Sequence, residues 1–501
     1  MIPVESLLDY AAIYWFGVYV ILVIAALGNT VSSLDDLFVD LAYWTWRAYR
    51  SLIIRRVHRR LTAEELSESP QKPIAILVPA WDEANVIGHM LALAVRNFEY
   101  DNYRIYVGTY PNDPETQAEV DRVAAQTDKV RKVVTRLPGP TSKADALNHC
   151  LEAAFRDEQE SGAEYAAFVL HDSEDVVHRL ELRLFNYLIP RKDLVQLPVF
   201  SLEREWWQMT GGHYQDEFAE VHSKDLVVRE WLAGQVPSAG VGTGFSRRAI
   251  LALLEDSDGE VFDESSLTED YEISFRLKHH GGNMKEIFVR FPIEVVEERR
   301  NLFGTKRRVR RPEWVAVREY FPDDFWAAVR QKARWLTGIV FQGSRRIGWR
   351  GAFALRYFLM RDRKALFTNL VNMMGYFVLA NALAMAAYSA AFKDGFAFPP
   401  LVIPYGPLWW LLLLNGLFLL NRVVHRVWFT WMVYGPYAAL MSVPRQVWGN
   451  FINFFACLRA IRRVIRAARG RQTLDWEKTS HAFPGAEELK VLSRRSKDLA
   501  S

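Results

Sequence analysis

The stretch Tyr165-Ala-Ala-Phe-Val-Leu-His-Asp-Ser-Glu-Asp175 decides the fold class of this chain. Its first part, Tyr165–His171, is a short apolar run of the kind that forms a buried parallel strand. Its last part places the carboxylates of Asp172, Glu174 and Asp175 directly after that strand. Open α/β sheets bind ligands beyond the carboxyl ends of their strands, so this stretch predicts such a sheet with a site at its edge.

The chain before this stretch alternates strand-like and helix-like segments. The expected strands are Ile74–Val78, Tyr103–Tyr110 and Val130–Leu137, and the expected helices are Val86–Val95, 115–125 and 143–158, the last capped by Ser142. This order predicts a doubly wound, mostly parallel, Rossmann-like sheet. The polar residues at the ends of its strands are therefore the place to look for function.

Acidic residues follow three of the four expected strands. Asp82 follows the first strand, Asp113 follows the second, and the cluster from Asp172 to Asp175 follows the fourth. Hard oxygen ligands at this spacing suit Mg²⁺ or Mn²⁺, which keeps waters and bridges substrate phosphates. The alternative is a helix start with favourable negative charge.

Two later motifs add chemistry. Glu269 and Asp270 form a carboxylate pair that can supply a general base, although Thr268 before them would also serve as an ordinary helix cap. Gln331, Arg334 and Trp335 share one face of a helix at spacings of three and four. Arg can pair with phosphate and Trp can form a platform for a sugar ring. The alternative is a Trp/Arg anchor beside a membrane span.

The composition indicates a membrane protein with a soluble part. Half of the 501 residues are hydrophobic, and the net charge of +3 argues against a nucleic-acid partner. Two cysteines cannot build a disulfide framework or a Cys-rich metal site. Residues 10–34 carry no charge and predict a span. Glu5 and Asp9 stand where a signal peptide has basic residues, which favours a retained helix.

Further uncharged segments follow the predicted sheet, at 365–392 and 395–421. The apolar region 427–458 is broken by Pro444 and Arg445, and it is either two more spans or a re-entrant and interfacial pair. Its Trp, Asn and Gln content favours the pair. Six arginines lie between 47 and 60 and five between 459 and 469, so both flanks are expected on the cytosolic side.

The order of these motifs resembles the membrane-bound glycosyltransferases of family 2, the group with bacterial cellulose synthase and hyaluronan synthase. The resemblance covers about 72–340 and implies an α/β GT-A catalytic domain inserted in an α-helical membrane domain. It implies a multi-pass protein of the bacterial inner membrane with a cytoplasmic catalytic domain. The expected parts are a membrane and interfacial helix (1–60), the GT-A domain (72–300), interfacial helices with the Gln-x-x-Arg-Trp motif (301–364), membrane helices (365–465) and a cytosolic tail (466–501).

The resemblance also implies roles on the donor side. Asp82 would contact the nucleotide, and Lys143 would lie near its diphosphate. Asp172 and Glu174 would hold Mg²⁺ or Mn²⁺ at the family's Asp-x-Asp position, with Glu replacing the second Asp. The family's Asp-Asp-Gly-Ser motif is replaced here by Tyr-Pro-Asn-Asp-Pro, and Asp113 is the candidate for the base or ribose contact.

On the acceptor side, the resemblance makes Asp270 the general base, with Glu269 beside it. Gln331, Arg334 and Trp335 match the Gln-x-x-Arg-Trp motif of the polymer-making members, which closes over the diphosphate and holds the acceptor. The implied reaction is metal-dependent, inverting and processive transfer from a nucleotide-diphosphate sugar, UDP-N-acetylhexosamine being favoured, to a growing glycan. The alternatives are a polyprenyl-phosphate sugar transferase that adds one residue and a non-catalytic membrane scaffold or phage receptor.

One subgroup of the family resembles the chain more closely. Val78–Glu83, His171–Asp175 and Leu474–Thr479 with His481 are similar to the NfrB-like subgroup, inner-membrane subunits paired with an outer-membrane protein in a surface-glycan secretion system that phages exploit. This implies an outer-membrane export partner. Longer members carry a carboxyl-terminal module that binds cyclic-di-GMP, and we expect this module to be absent from residues 1–501.

Overall fold

A computed structural model describes residues 4–256, 259–280, 283–300, 305–393, 396–470 and 482–485. Leu474–Thr479 and His481 lie outside the described residues, as does most of the predicted tail. A soluble α/β domain lies between the first long helix and two later ones. This is the order of parts that the sequence predicts.

A seven-stranded sheet forms the centre of the soluble domain, in the order β3-β2-β1-β4-β7-β5-β8. The first four strands in this order are parallel, and β7 runs antiparallel to both of its neighbours. A parallel β6–β11 pair and an antiparallel β9–β10 ribbon accompany it. The strands are β1 Ile74–Pro79, β2 Tyr103–Thr109, β3 Val130–Val134, β4 Ala167–Leu170, β5 Leu194–Gln196, β6 Val199–Ser201, β7 Thr243–Ser246, β8 Glu286–Phe288, β9 Pro292–Arg300, β10 Lys306–Trp314 and β11 Val317–Glu319.

The four predicted strands and the three predicted helices between them are confirmed, with ends that differ by up to three residues. The strands form because their apolar side chains are buried on both faces of the sheet. The α-helices are α1 Val4–Tyr49, α2 Arg55–Val57, α3 Ala63–Glu68, α4 Ile87–Asn97, α5 Pro114–Ala124, α6 Lys143–Ser161, α7 Glu181–Leu188, α8 Met209–Glu220, α9 Leu226–Ala233, α10 Arg247–Asp256, α11 Glu269–His279, α12 Phe325–Leu336, α13 Gly343–Arg346, α14 Phe353–Ala391, α15 Pro407–Tyr434 and α16 Pro436–Ala468.

The sheet with its flanking helices has the mostly parallel α/β architecture that the sequence predicts. One predicted boundary is corrected. The range 301–364 was expected to hold interfacial helices, but its first part contains β10 and β11, and helix begins only at Phe325. The physical reason is that β11 pairs with β6 of the soluble domain, so this part of the chain belongs to that domain.

In the part of the chain that the structure describes, three helical stretches are long and apolar enough to cross a membrane: Leu8–Val57, Phe353–Ala391 and Pro407–Tyr434. They correspond to the predicted spans at 10–34, 365–392 and 395–421. Among the described residues, 427–458 adds no further candidate span: its first part belongs to α15, and the rest lies in α16. α15 continues to Tyr434, and α16 then passes through Pro444 as one helix.

Buried charge pairs join the soluble domain to the long helices. Arg445 of α16 pairs with Asp216 of α8 at 2.9 Å, and both side chains are buried. Lys224, just after α8, donates to Asp40 of α1 at 2.6 Å. Arg445 was expected to break the apolar region, but its charge is balanced by Asp216, so the helix can pass through it.

Candidate active site

A cavity of about 640 Å³ lies at the edge of the sheet and extends toward the long helices. It collects most of the predicted site residues from strand ends, a helix start and α12. Those that line it are Lys143, Asp172, Glu174, Glu269, Asp270, Gln331, Arg334 and Trp335. These residues are far apart in sequence, so the fold, and not local spacing, brings them together.

The loop after β4 is fixed by a fully buried histidine. The His171 ring donates from Nδ1 to Asp175 Oδ2 at 2.7 Å and from Nε2 to Glu181 Oε1 at 2.6 Å. Burial would lower the pKa of His171, but the two carboxylates raise it to about 10, so both ring nitrogens carry protons. Asp175 Oδ2 also accepts the backbone N–H of Asp172 at 3.0 Å. The histidine thus sets the backbone that presents Asp172.

Asp172 and Lys143 form the ion pair at the centre of the cavity, with Lys143 Nζ 2.5 Å from Asp172 Oδ1. Lys143 is the first residue of α6, whose start Ser142 caps by accepting from Asp145 N at 3.2 Å. Burial alone would lower the pKa of Lys143, but the nearby carboxylates raise it above its ordinary value. A permanent positive charge therefore stands beside the acidic loop.

The donor set fits a hard divalent cation. Asp172 and Glu174 both line the cavity, where Lys143 Nζ pairs with Asp172 Oδ1. Within the described part of the chain, no three His, Cys, Asp or Glu side chains are arranged to hold a metal by themselves. Mg²⁺ and similar ions need only one or two carboxylates when waters and substrate phosphates complete the shell. The two residues therefore suit a metal that binds together with a diphosphate.

Glu269 and Asp270 open α11 beneath the same cavity. Burial and the charge of Asp270 raise the pKa of Glu269 to about 7. Burial also raises the pKa of Asp270, while Lys143 opposes that shift. Asp270 Oδ1 accepts the N–H of Tyr271 at 2.7 Å, which orients its carboxylate. Thr268 occupies the cap position of α11, but its hydroxyl makes no capping bond.

Gly240 was missed by the sequence reasoning. It adopts φ +76°, a left-handed conformation that favours glycine. A Cβ on this residue would lie 2.5 Å from Asp270 Oδ2 and 3.2 Å from Lys143 Nζ. The backbone at Gly240 thus lies so close to the carboxylate of the predicted base, Asp270, that the space there has no room for a side chain. A glycine in a Ser-Ala-Gly-Val-Gly stretch was the only signal available.

The Gln-x-x-Arg-Trp motif lies on α12, and its three named side chains line the cavity as the shared helix face predicts. Trp335 packs edge-on against Tyr214 and Phe321, with ring centroids 6.2 and 6.4 Å away. Lys332, inside the motif, donates to Asn453 Oδ1 at 2.9 Å and also pairs with Glu217. The motif is therefore held between α8 and α16.

Asp82 and Asp113 are placed differently from the other predicted residues. They lie next to the cavity but outside the set of residues that line it. Asp113 Oδ2 accepts the backbone N–H of Asp82 at 2.5 Å, and Oδ1 accepts Thr116 N at 3.2 Å as the cap of α5. Asp82 has φ +54° and is exposed. In this structure Asp113 shapes the turn that carries Asp82.

Two aromatic residues and one carboxylate join the site without having been predicted for it. Trp81 and Tyr110 line the cavity in edge-to-face contact, 5.0 Å between ring centroids, and Tyr110 donates to Ser142 O at 3.2 Å beside Lys143. Glu319 of β11 also lines it. Burial, then Asp175 and Glu174, raise the pKa of Glu319 well above its ordinary value. Trp81 and Tyr110 stood in the strand-end motifs, whereas nothing in the sequence marked Glu319.

Residues 167–392 match the family described as glycosyl transferase family group 2. The chain is 48% identical over 480 residues to Bacteriophage adsorption protein B of Escherichia coli K12 and, equally, to Bacteriophage N4 adsorption protein B of Escherichia coli O157:H7. Each alignment covers 96% of this chain and 64% of the relative. The chain thus spans slightly less than two thirds of the length of these relatives.

Among solved structures, the chain is similar to a mannosyltransferase from Pyrobaculum calidifontis in complex with GDP-mannose and Mn²⁺. The likeness has 16% sequence identity and a TM-score of 0.46, and covers 86% of this chain and 99% of the other.

Proposed function

We propose that this chain, whose residues 167–392 match the family described as glycosyl transferase family group 2, transfers sugar from a nucleotide-diphosphate sugar to the growing end of a glycan at a membrane. One observation carries the proposal. The acidic pair after β4, the carboxylate at the start of α11 and the Arg-Trp face of α12 line a single cavity. Such a set can bind a diphosphate, activate a hydroxyl and hold a sugar ring.

On the donor side, Asp172 and Glu174 would hold Mg²⁺ or Mn²⁺, which supplies Lewis-acid neutralisation of the diphosphate leaving group. Lys143 and Arg334 add positive charge around that diphosphate, since both line the cavity. Trp81 and Tyr110 supply the aromatic surface for the nucleotide base. We favour UDP-N-acetylhexosamine as the donor.

On the acceptor side, Asp270 takes the proton of the acceptor hydroxyl as its oxygen bonds to the anomeric carbon. The bond from that carbon to the diphosphate oxygen breaks in the same step, so the anomeric centre is inverted. Trp335 offers its ring to the acceptor sugar. The Gln-x-x-Arg-Trp face supports repeated addition, and the length of the product distinguishes this from single addition to a polyprenyl phosphate.

The membrane setting is part of the proposal. We place the catalytic domain on the cytoplasmic side of a bacterial inner membrane, because six arginines follow the first span and five lie at the end of α16. Three crossings would put the amino terminus outside and the catalytic domain inside. The glycan would leave between the spans toward an export partner in the outer membrane. We extend to this chain the role in phage adsorption that the names of its relatives state.

Asp270→Asn tests the catalytic assignment on the purified full chain. We expect the rate of sugar transfer to fall about 10²–10⁴-fold, which is the factor by which a positioned general base usually accelerates a reaction. UDP affinity should change by less than about twofold, because the amide keeps the shape of the side chain. Release of UDP from a panel of labelled UDP- and GDP-sugars measures transfer, and calorimetry measures UDP binding.

The matched control is Asp121→Asn, which removes an exposed carboxylate paired with Lys132 on the surface of the same domain. Its transfer rate should equal that of the unmodified chain. Full activity of Asp270→Asn would exclude Asp270 as the base. A failure of the unmodified chain to release nucleotide from any donor would favour the non-catalytic scaffold.

A further inference from the structure

Residues 482–485 lie against the catalytic domain, on elements that are hundreds of residues away in sequence. The Phe483 ring stacks on the His89 ring of α4, with centroids 6.2 Å apart and planes 23° from parallel. Phe483 is half-buried and Pro484 is buried. A Phe-Pro pair with few rotatable bonds loses little conformational entropy when it docks. The segment therefore packs at a defined position on the domain.

The surface on which Phe483 packs is an apolar cluster formed by Leu93, Val176 and Leu202, with Tyr320 packed against the same cluster. Its members come from elements that carry cavity residues. Val176 follows Asp175 directly, and Tyr320 follows the cavity residue Glu319.

The helix that carries Leu93 and His89 adds the third connection. α4 begins shortly after the turn that holds Trp81 and Glu83, both of which line the cavity. Phe483 thus lies behind the turn after β1, the acidic loop after β4 and the end of β11. One aromatic ring supports three segments that form the donor side of the site.

The acidic loop and β11 are joined at the point where Phe483 packs. Val176 N donates to Arg318 O at 2.7 Å, and Arg318 N donates to Val176 O at 3.2 Å. On the cavity side of this junction lie Asp172, Glu174 and Glu319. The two hydrogen bonds tie the loop to β11, so both segments share the apolar cluster that lies behind them. Phe483 supplies apolar contact on that side.

We propose that Phe483 and Pro484 are positioning residues that hold the acidic loop and β11 in place, and thereby set the affinity of the donor side for a divalent cation. The docking is independent of the reaction, whereas its effect on cation and donor affinity rests on the proposed function. The position of the carboxyl-terminal segment would then control how tightly the donor binds.

Phe483→Ala in the full chain tests this, with Mn²⁺ alone as the probe. We expect Mn²⁺ to bind about fivefold more weakly, the lower end of the usual coupling between two sites. Hydrogen exchange of the backbone amides at 172–178 should be faster, because their apolar support is gone. Electron paramagnetic resonance of free Mn²⁺ measures the first quantity and mass spectrometry the second. Phe483→Leu keeps an apolar side chain, so its Mn²⁺ affinity and its hydrogen exchange at 172–178 should be close to those of the unmodified chain.

The matched control is Leu251→Ala, which removes an exposed apolar side chain from α10 of the same domain. It should leave Mn²⁺ affinity and exchange at 172–178 unchanged. Measurements are made well below the melting temperature of each variant, so that a general loss of stability does not count. Phe483→Ala with the Mn²⁺ affinity and exchange of the unmodified chain overturns the proposal.

Failure of the proposed function is distinguishable from failure of the docking. If the unmodified chain binds no Mn²⁺, the metal assignment to Asp172 and Glu174 fails, while exchange at 172–178 still decides whether Phe483 supports the loop. If Mn²⁺ binds normally and Phe483→Ala leaves exchange unaltered, the docking has no effect on the loop and the proposal fails alone.

Discussion

At the scale of single residues, the adjacent carboxylates of Glu269 and Asp270 have different tasks. Burial and the charge of Asp270 raise the pKa of Glu269 from 4.5 to about 7. Glu269 therefore keeps its proton in mildly acidic solution, whereas Lys143 opposes the rise that burial causes in the pKa of Asp270. A protonated neighbour spares Asp270 a second negative charge in a buried site, which lets it act as a base.

This assignment predicts how stability depends on pH. The folded chain binds the proton of Glu269 more strongly than the unfolded chain does, because its folded pKa is raised. The resulting stability is complete below pH 4.5 and is lost as the pH rises through about 7. Glu269→Gln removes this titration, so its melting temperature should fall less between pH 5 and pH 8 than that of the unmodified chain.

Thermal melting in detergent at several pH values measures the difference. Glu272→Gln is a matched control on the next turn of α11, where the carboxylate pairs with Arg346 at 3.1 Å. Glu272→Gln should leave the pH-dependent stability that comes from Glu269 unchanged. Parallel curves for Glu269→Gln and the unmodified chain would show that Glu269 does not titrate in this range.

At the scale of elements, the loop between α9 and β7 meets the start of α11 through Gly240. The left-handed conformation costs a residue with a Cβ about 1–2 kcal/mol. The Cβ would also lie 2.5 Å from Asp270 Oδ2, so either the loop or the carboxylate must move. The geometry of the site thus depends on one glycine in a loop.

Gly240→Ala should therefore lower sugar transfer at least about tenfold, since a displacement near 1 Å at reacting groups can cost that much or more. Gly162→Ala is the control, because Gly162 has φ +68° and an added methyl group would meet nothing within 4 Å. Gly162→Ala should lose about 1–2 kcal/mol in unfolding free energy from the left-handed conformation alone, and Gly240→Ala should lose at least as much. Only Gly240→Ala should lose transfer, measured as UDP release. Equal rates in the two variants would mean that the contact with Asp270 is unimportant.

At the scale of the whole molecule, the catalytic domain and the long helices are joined by buried ion pairs. Asp216 and Arg445 are each 1% exposed in their side chains, so neither charge can be solvated if the other is removed. Breaking such a pair from one side typically costs about 3–5 kcal/mol. We infer that this contact fixes α16, and with it α12 and the Gln-x-x-Arg-Trp face, against the domain.

Arg445→Met alone should therefore lower the melting temperature strongly, and Asp216→Asn alone should do so as well. The double variant should lose clearly less than the sum, because neither uncompensated charge remains. A double-mutant cycle on melting temperature in detergent measures this coupling. Additive losses would show that the two side chains act independently.

Local sequence pattern determined much of this protein. Apolar runs such as Ile74–Val78 form strands because both of their faces are buried, and the carboxyl ends of parallel strands meet at one edge. The acidic residues after β4, and the i, i+3, i+4 face of α12, could therefore be assigned to one cavity from the sequence alone, whereas Asp82 and Asp113 lie beside that cavity. The three long apolar helices could also be predicted from the sequence. Apolar side chains are stable in lipid, and a helix pairs all of its backbone groups within itself, which a segment in lipid must do.

Contacts distant in sequence decided the rest. The ligand contact of Asp113 stays a prediction, and its carboxylate accepts the backbone N–H of Asp82 because the fold puts that N–H beside it. Pro444 and Arg445 looked like a break, but Asp216 balances the charge and α16 continues. Glu319 and Gly240 reach the site, and Phe483 packs behind it, only because β11, a loop and residues 482–485 come together in space. Spacing along a chain encodes which residues share a face of one element, whereas the partner across a packed interface is set by the tertiary fold alone.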